Sequence, residues 1–314
     1  MYKRLFLLFL SLLLIASYIL WNSPLQWPPP KPELGFQQNI TTLVVFGDSY
    51  SDNGHTRARK YSFARKYSTN GKTWNQYLSD RLSFTLYNFA WSGATADNSI
   101  VKRYTPSVKE QVKLFYRGAV DGVHGSSLKW SPERTLFSIW IGVNDVTDIF
   151  FQGDNATRYD LDIASVRKSM EDLVSHGARH FMLINVPPIQ HMPIVWQRSR
   201  SNSTTVSRFS TLVQSYNTKL EQLARTFRAF HADVGVDVLF IDAHGIYSEL
   251  IQSNLFANTE DPCSPESSLW RHCRHPDNYL FWDTWHPTTR VHRMMAEVVY
   301  EVLVKHWTLP SPAV

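Results

Sequence analysis

Four short polar segments of the chain carry residue types that can do acyl-transfer chemistry. Gly47-Asp48-Ser49 interrupts the apolar run "VVF", Gly93 lies in "NFAWSGATADN", Asn144 lies in "WIGVNDV", and Asp283 and His286 lie in "FWDTWHPTTR". A serine hydroxyl becomes a useful nucleophile only when a base takes its proton, and histidine is the side chain whose basicity suits neutral pH. Asp283 stands three positions before His286, close enough within one turn for its carboxylate to fix the imidazole tautomer and steady the imidazolium. A glycine suits close approach of substrate to backbone, and an amide donates without being ionised. Taken singly, each residue has an ordinary reading: Ser49 as a helix N-cap, Gly93 as a turn glycine, Asn144 and Asp145 as a cap pair, His286 as a helix-start residue before Pro287. Taken together and in this order they supply a nucleophile, a base, its carboxylate and two sources of hydrogen-bond donors.

Short β-rich runs alternate with longer helical ones between these segments. Strands are expected at Thr41 to Phe46, Thr85 to Phe89, Leu136 to Ile141, His180 to Val186 and Val236 to Ile241. Their continuous apolar character suits strands buried on both faces of a parallel sheet, with the first at its centre. Helices are expected at Thr73 to Leu82, Ile163 to His176, Thr205 to Ala232 and Thr289 to His306; in the third, Val206, Phe209, Val213, Tyr216, Leu220, Leu223 and Phe227 recur at spacings of three and four. The alternation predicts a three-layer α/β/α fold with right-handed crossovers. In such sheets ligands sit beyond the carboxyl ends of the strands, where strand order reverses. Three of the four polar segments fall at expected strand ends.

The segments "FGDSYSDNG", "NFAWSGATADN", "WIGVNDV" and "WDTWHP" resemble the blocks of the GDSL, or SGNH, hydrolases, and the likeness is nearest to fungal acetylesterases of carbohydrate esterase family sixteen. It runs in motif order from about Thr41 to the C-terminus, with His55 standing where related sequences often have Asn. The resemblance implies a flavodoxin-like, mostly parallel five-stranded sheet, an ester substrate, and neither metal nor organic cofactor. It implies Ser49, His286 and Asp283 as the catalytic triad, and the backbone N–H groups of Ser49 and Gly93 with the Asn144 side-chain amide as the oxyanion hole. The substrate it suggests is an acetylated oligosaccharide, hydrolysed through an acyl-enzyme. The alternative is an esterase, lipase or phospholipase acting on longer acyl chains at a membrane. A third reading is a non-catalytic carbohydrate- or lipid-binding protein on a retired hydrolase scaffold, against which the intact set of five residues speaks.

Other features bound the setting. The 314 residues, 43% hydrophobic and 19% charged, fit one folded domain as the default over two small ones, placed here at 41–314. Lys3 and Arg4 precede an uncharged apolar run from Leu5 to Trp21, so residues 1–21 read as a signal peptide or an uncleaved signal-anchor. Residues 22–40 read as a stiff Pro-rich linker. A secreted protein is expected, or one anchored through residues 5–21, and only the second involves a membrane. Asn39, Asn155 and Asn202 begin glycosylation sequons, and Cys263 and Cys273 pair as a disulfide in an oxidising compartment, their spacing with His272 and His275 matching no common zinc pattern. The net charge of +5 is small, and the run "RARKYSFARK" reads as a solvated loop, so no nucleic-acid partner is expected. A monomer acting on a small-molecule ester is the expectation. Trp91, Trp140, Trp282 and Trp285 flank the motifs and read as core in preference to sugar-stacking faces. No Gly-x-Ser-x-Gly elbow, His-Glu-x-x-His motif, Walker loop or dinucleotide fingerprint occurs.

Overall fold

A computed structural model describes residues 40–54, 68–119, 128–152, 157–199, 203–265 and 272–308. The leader, the linker up to residue 39, His55, the basic run and the three sequon asparagines lie outside the described residues. The first strand, β1 (Thr42–Gly47), is buried along its whole length, with Leu43, Val44, Val45 and Phe46 at 0% exposure. A run this apolar has no face to offer water, so it needs partners and cover on every side.

The sheet supplies them. β1 pairs in parallel with β2 (Thr85–Asn88) on one side, through Thr42↔Thr85, and with β3 (Thr135–Trp140) on the other, through Thr42↔Thr135. β4 (His180–Ile184) and β5 (Asp237–Ile241) add outward beyond β3, giving the order β2-β1-β3-β4-β5, parallel throughout. All five expected strands form, each within two residues of its expected ends. The centre, however, is β3 and not β1: after β1 the chain lays β2 on one side, then crosses back and builds three strands on the other. That reversal makes the β1/β3 boundary the switch point where a parallel sheet opens a crevice.

Helix α1 (Trp74–Leu82) packs against the last helix, α8 (Thr289–Thr308). On the sheet's other side α2 (Val108–Ala119) contacts α4 (Thr157–Ser175), and α4 contacts α6 (Ser203–Phe230). Right-handed crossovers send helices to opposite faces when the chain reverses direction, and three layers result. In α6 the expected apolar stripe buries Phe209, Val213, Tyr216, Leu220, Leu223 and Phe227. Four helices come unannounced: α2, α3 (Val143–Phe151), α5 (Pro193–Ser199) and α7 (Ala243–Gln252). So does a two-stranded pair, β6 (Asn258–Pro262) with β7 (Tyr279–Phe281); β6 reads "NTEDP" and carries no apolar residue before its closing proline. Among the described residues no helix is long and apolar enough to cross a membrane.

Candidate active site

Gly47 closes β1 where two backbones crowd. A Cβ there would lie 2.4 Å from the Trp140 carbonyl oxygen, so glycine is required by contact with β3. The Gln111 amide brackets the same residue, accepting from the Gly47 N–H at 2.8 Å and donating to its carbonyl at 2.9 Å. The chain then folds into a tight turn, in which the N–H groups of Ser51 and Asp52 both donate to the Asp48 carbonyl. Ser49 rides on this turn, 8% exposed, instead of capping a long helix. Burial pushes the neighbouring Asp48 carboxyl up to about 7, against the Tyr50 N–H that donates to it and the attraction of His286.

Across the crevice, His286 Nε2 lies 2.8 Å from Ser49 Oγ, and His286 Nδ1 lies 2.9 Å from each Asp283 carboxylate oxygen. Asp283 Oδ1 also accepts the backbone N–H groups of Trp285 and His286 at 2.8 Å. Burial alone would raise this carboxyl, but His286 and those N–H donors hold it below the usual carboxylate range. Asp283 therefore stays ionised through neutral pH. With its proton on Nδ1, facing the carboxylate, the imidazole leaves Nε2 to accept from serine.

The other two blocks meet each other. Gly93 has φ +84, in the left-handed region that favours glycine, although the nearest atom to a Cβ there would be 3.6 Å away; backbone shape and not space selects it. Asn144 sits in the first turn of α3, after Gly142, and its side-chain amide donates to the Ala94 carbonyl at 2.8 Å. One of its two N–H bonds is spent on that contact and the second remains for a ligand. The fold thus joins Ser49, His286 and Asp283 across 237 positions, and separately joins Asn144 to the Gly93 segment.

Sequence reading missed the residues that hold these in place. Gln111, in α2, fixes Gly47, and its own segment gave no signal. Tyr50, beside Ser49, donates its hydroxyl to the Trp285 carbonyl at 2.8 Å and so ties the two halves of the site together. Asp52 lies inside the quoted first motif, and Asp145 follows Asn144; both are at most 3% exposed. Of the flanking tryptophans, Trp140 is core at 0% exposure, packed on Tyr50 and Trp74, whereas Trp91, Trp282 and Trp285 are only half-buried. Cys263 and Cys273 form the expected disulfide. Around it the Cys263 N–H donates to Phe281 and the Ser264 N–H to Trp282, bracing the strand that leads into Asp283. Their sulfurs are joined to each other, and His272 donates to or accepts from Ser264 Oγ at 2.9 Å.

Comparison with known proteins gives the family. The model of the family described as GDSL-like lipase/acylhydrolase matches residues 43–299. Such a match defines the class, a hydrolase acting on ester bonds and built on a mostly parallel α/β/α sheet. The chain belongs to the GDSL-like lipase/acylhydrolase family. It is 28% identical over 283 residues to an acetylesterase of Thermothelomyces thermophilus, with 82% of this chain and 86% of that protein aligned. It is 26% identical over 285 residues to the thermolabile hemolysin of Vibrio parahaemolyticus, aligning 83% of this chain but spanning only 63% of the hemolysin. Among solved structures, an acetylxylan esterase from Geobacillus stearothermophilus superposes with a TM-score of 0.49 at 16% identity, covering 88% of this chain and all of that one.

Proposed function

We propose that this chain is a serine esterase that removes acetyl and other short acyl groups from carbohydrates. The observation that carries the reading is the hydrogen-bonded line from Ser49 Oγ through the His286 ring to both oxygens of Asp283. Ser49 Oγ attacks the ester carbonyl while His286 Nε2 takes its proton. The carbonyl oxygen gains the negative charge and is met by the N–H groups of Ser49 and Gly93 and the Asn144 amide. Collapse of this intermediate expels the sugar hydroxyl, which takes the proton back from His286, and leaves Ser49 acylated. A water deprotonated by the same histidine then attacks the acyl-enzyme, and acetate and free Ser49 are released. Asp283 holds the ring and balances the imidazolium in both halves; no cofactor enters.

Acetate as the acyl group is supported by the acetylesterase relative and by the resemblance of the four blocks, and export is supported by the apolar leader and the disulfide. The protein is read as a secreted monomer acting on a small ester. A longer acyl chain at a membrane is the second reading, favoured by the hemolysin relative and by the same leader if it is retained. Acetate release from acetylated xylo-oligosaccharides by wild type and Ser49→Ala tests the first: wild type should release acetate and the variant should lose at least about ten-thousandfold. No release by wild type removes the carbohydrate reading, and equal release by the variant removes the mechanism. Faster cleavage of an aryl octanoate than of an aryl acetate shifts the reading to the second.

A further inference from the structure

The segment Ser92 to Ala96, which carries the Gly93 N–H, is fastened at alternate residues. At one end Asp52 Oδ2 accepts the Ser92 N–H at 2.9 Å and the Ser92 hydroxyl at 2.7 Å, while Asp52 Oδ1 accepts the Gly54 N–H at 2.8 Å. In the middle the Ala94 carbonyl accepts from the Asn144 amide at 2.8 Å. At the other end Asp145 Oδ1 accepts the Ala96 N–H at 2.9 Å. The two carboxyls reach the segment from opposite directions, Asp52 from the turn after β1 and Asp145 from the start of α3. Both are buried, at 3% and 0% exposure, where a carboxyl is costly unless its contacts repay it.

We infer that Asp52 and Asp145 are positioning residues of the oxyanion hole, a pair of carboxyl clamps that fix the Gly93 N–H and the Asn144 amide in register with Ser49. The inference rests on the reading of Gly93 and Asn144 as oxyanion donors. A donor contributes fully to an oxyanion only when it already points at the place the charge will form, because reorientation during reaction costs what binding would gain. Gly93 is in the left-handed region and has no side chain to anchor itself, so its direction must be set by its neighbours. Ser92 directly before it and Ala96 three residues after it are each held by a clamp, and Ala94 between them is held by Asn144. Asn144 and Asp145 are adjacent in one helical turn, so a single short stretch supplies a donor and the clamp that aligns the other donor.

The clamps differ in a way that a substitution can read. Asp52 uses both oxygens as acceptors, so an amide in its place loses one of the two. Asp145 uses Oδ1 alone; its Oδ2 is buried without a hydrogen-bond partner and lies near a second buried carboxyl, Asp162. Burial, and after it the charge of Asp162, raise the Asp145 carboxyl well above the usual range despite the Ala96 N–H that lowers it. An asparagine is its near isostere and keeps the one acceptor oxygen that Asp145 uses.

Steady-state kinetics of the full chain on an aryl acetate, with circular dichroism to establish folding, test the inference. Asp145→Ala and Asp52→Asn should each lower kcat about 10- to 100-fold with KM within about threefold, and Asp145→Asn should stay within about threefold of wild type. Asp145→Ala combined with Asn144→Ala should lose less than the product of the two single losses, since both act on one feature. A folded Asp145→Ala or Asp52→Asn with wild-type kcat overturns the clamps, as does strict multiplication of losses in the double variant. Should Asp145→Ala fail to fold, Asp52→Asn and Asp145→Asn decide by their opposite expected outcomes. A wild-type kcat for Asn144→Ala removes the oxyanion reading itself, and the clamps with it; loss in Asn144→Ala with none in Asp52→Asn removes the clamps alone.

Discussion

Ser49 stands two residues past a strand buried on both faces, whereas Asp283 and His286 stand on a loop between the three-residue strand β7 and helix α8. The nucleophile side is held by long-range contacts made inside the core: Gln111 on Gly47, Asp52 on Ser92, Asp145 on Ala96 and Asn144 on Ala94. On the base side remote residues hold loop carbonyls, Ile194 on Thr284 and Thr69 on Pro287, while the contacts of the Asp283 carboxylate are local. Asp283 accepts backbone N–H groups two and three residues ahead, and a disulfide of separation 10 braces the strand before it. Tyr50 is a bridge between the two sides, through its hydroxyl on the Trp285 carbonyl. Charge that develops on substrate must meet donors that cannot turn away, so under the proposed mechanism the oxyanion donors belong beside the sheet. A histidine that takes and returns a proton needs one partner fixed and a short reach, and a stapled loop is sufficient.

The contrast can be broken at several points. Asp283→Asn leaves shape intact but removes the charge that selects the tautomer, and should lower kcat on the order of ten-thousandfold on an aryl acetate; a loss under tenfold would mean the local turn alone orients His286. On the other side, Asn144→Ala should cost roughly a hundred- to a thousandfold in kcat, measured on the same ester. Replacing Cys263 and Cys273 together by serine should lower unfolding stability by about 3 kcal/mol in denaturant titration while kcat in native buffer changes by less than about tenfold. A much larger kcat loss would show that the staple sets the base's geometry and does not merely support it.

The smallest effect concerns pH. Burial, and after it the charge of Asp97, push the Asp162 carboxyl up to about 7 in the folded protein, against an unfolded value near 4. Between those values the folded state holds more protons than the unfolded one, so stability from this group falls as pH rises from about 4 to about 7. Asp162→Asn removes that dependence and should stabilise the protein by about 1 to 3 kcal/mol at pH 8 relative to its effect at pH 4, read from denaturant midpoints. Asp48, also pushed up to about 7, acts with the same sign and stays in the variant, whereas Asp283, held low, loses its contribution only as pH falls through its own lowered value.

The difference between the sides also explains what could be read in advance. Strands β1, β3 and β4 were legible because each is an apolar run that only a doubly covered sheet can bury, the half-buried edge strands β2 and β5 because they are short β-rich runs bounded by turn residues, and α6 because its stripe repeats at helical spacing. Helix α3 was not, since its first turn carries the polar pair Asn144-Asp145 and resembles a loop; nor was β6, whose "NTEDP" forms a strand only because β7 lies alongside. Ser49, Gly93, Asn144, Asp283 and His286 were legible because chemistry restricts their types. Gln111, Asp52 and Asp145 were not, because a polar residue that fastens a backbone carries no mark distinguishing it from one that faces water.

By itself the sequence determined the alternation of strands and helices, the residue types that can do ester chemistry, and the pairing of two lone cysteines. Local periodicity and side-chain chemistry suffice for these, since neither depends on which distant segment lies alongside. Tertiary structure alone decided that β3 is the central strand, that the crevice opens between β1 and β3, and that buried carboxyls fasten the Gly93 segment. The physical reason is that each of these is a contact between segments remote in the chain, fixed only when packing brings them together.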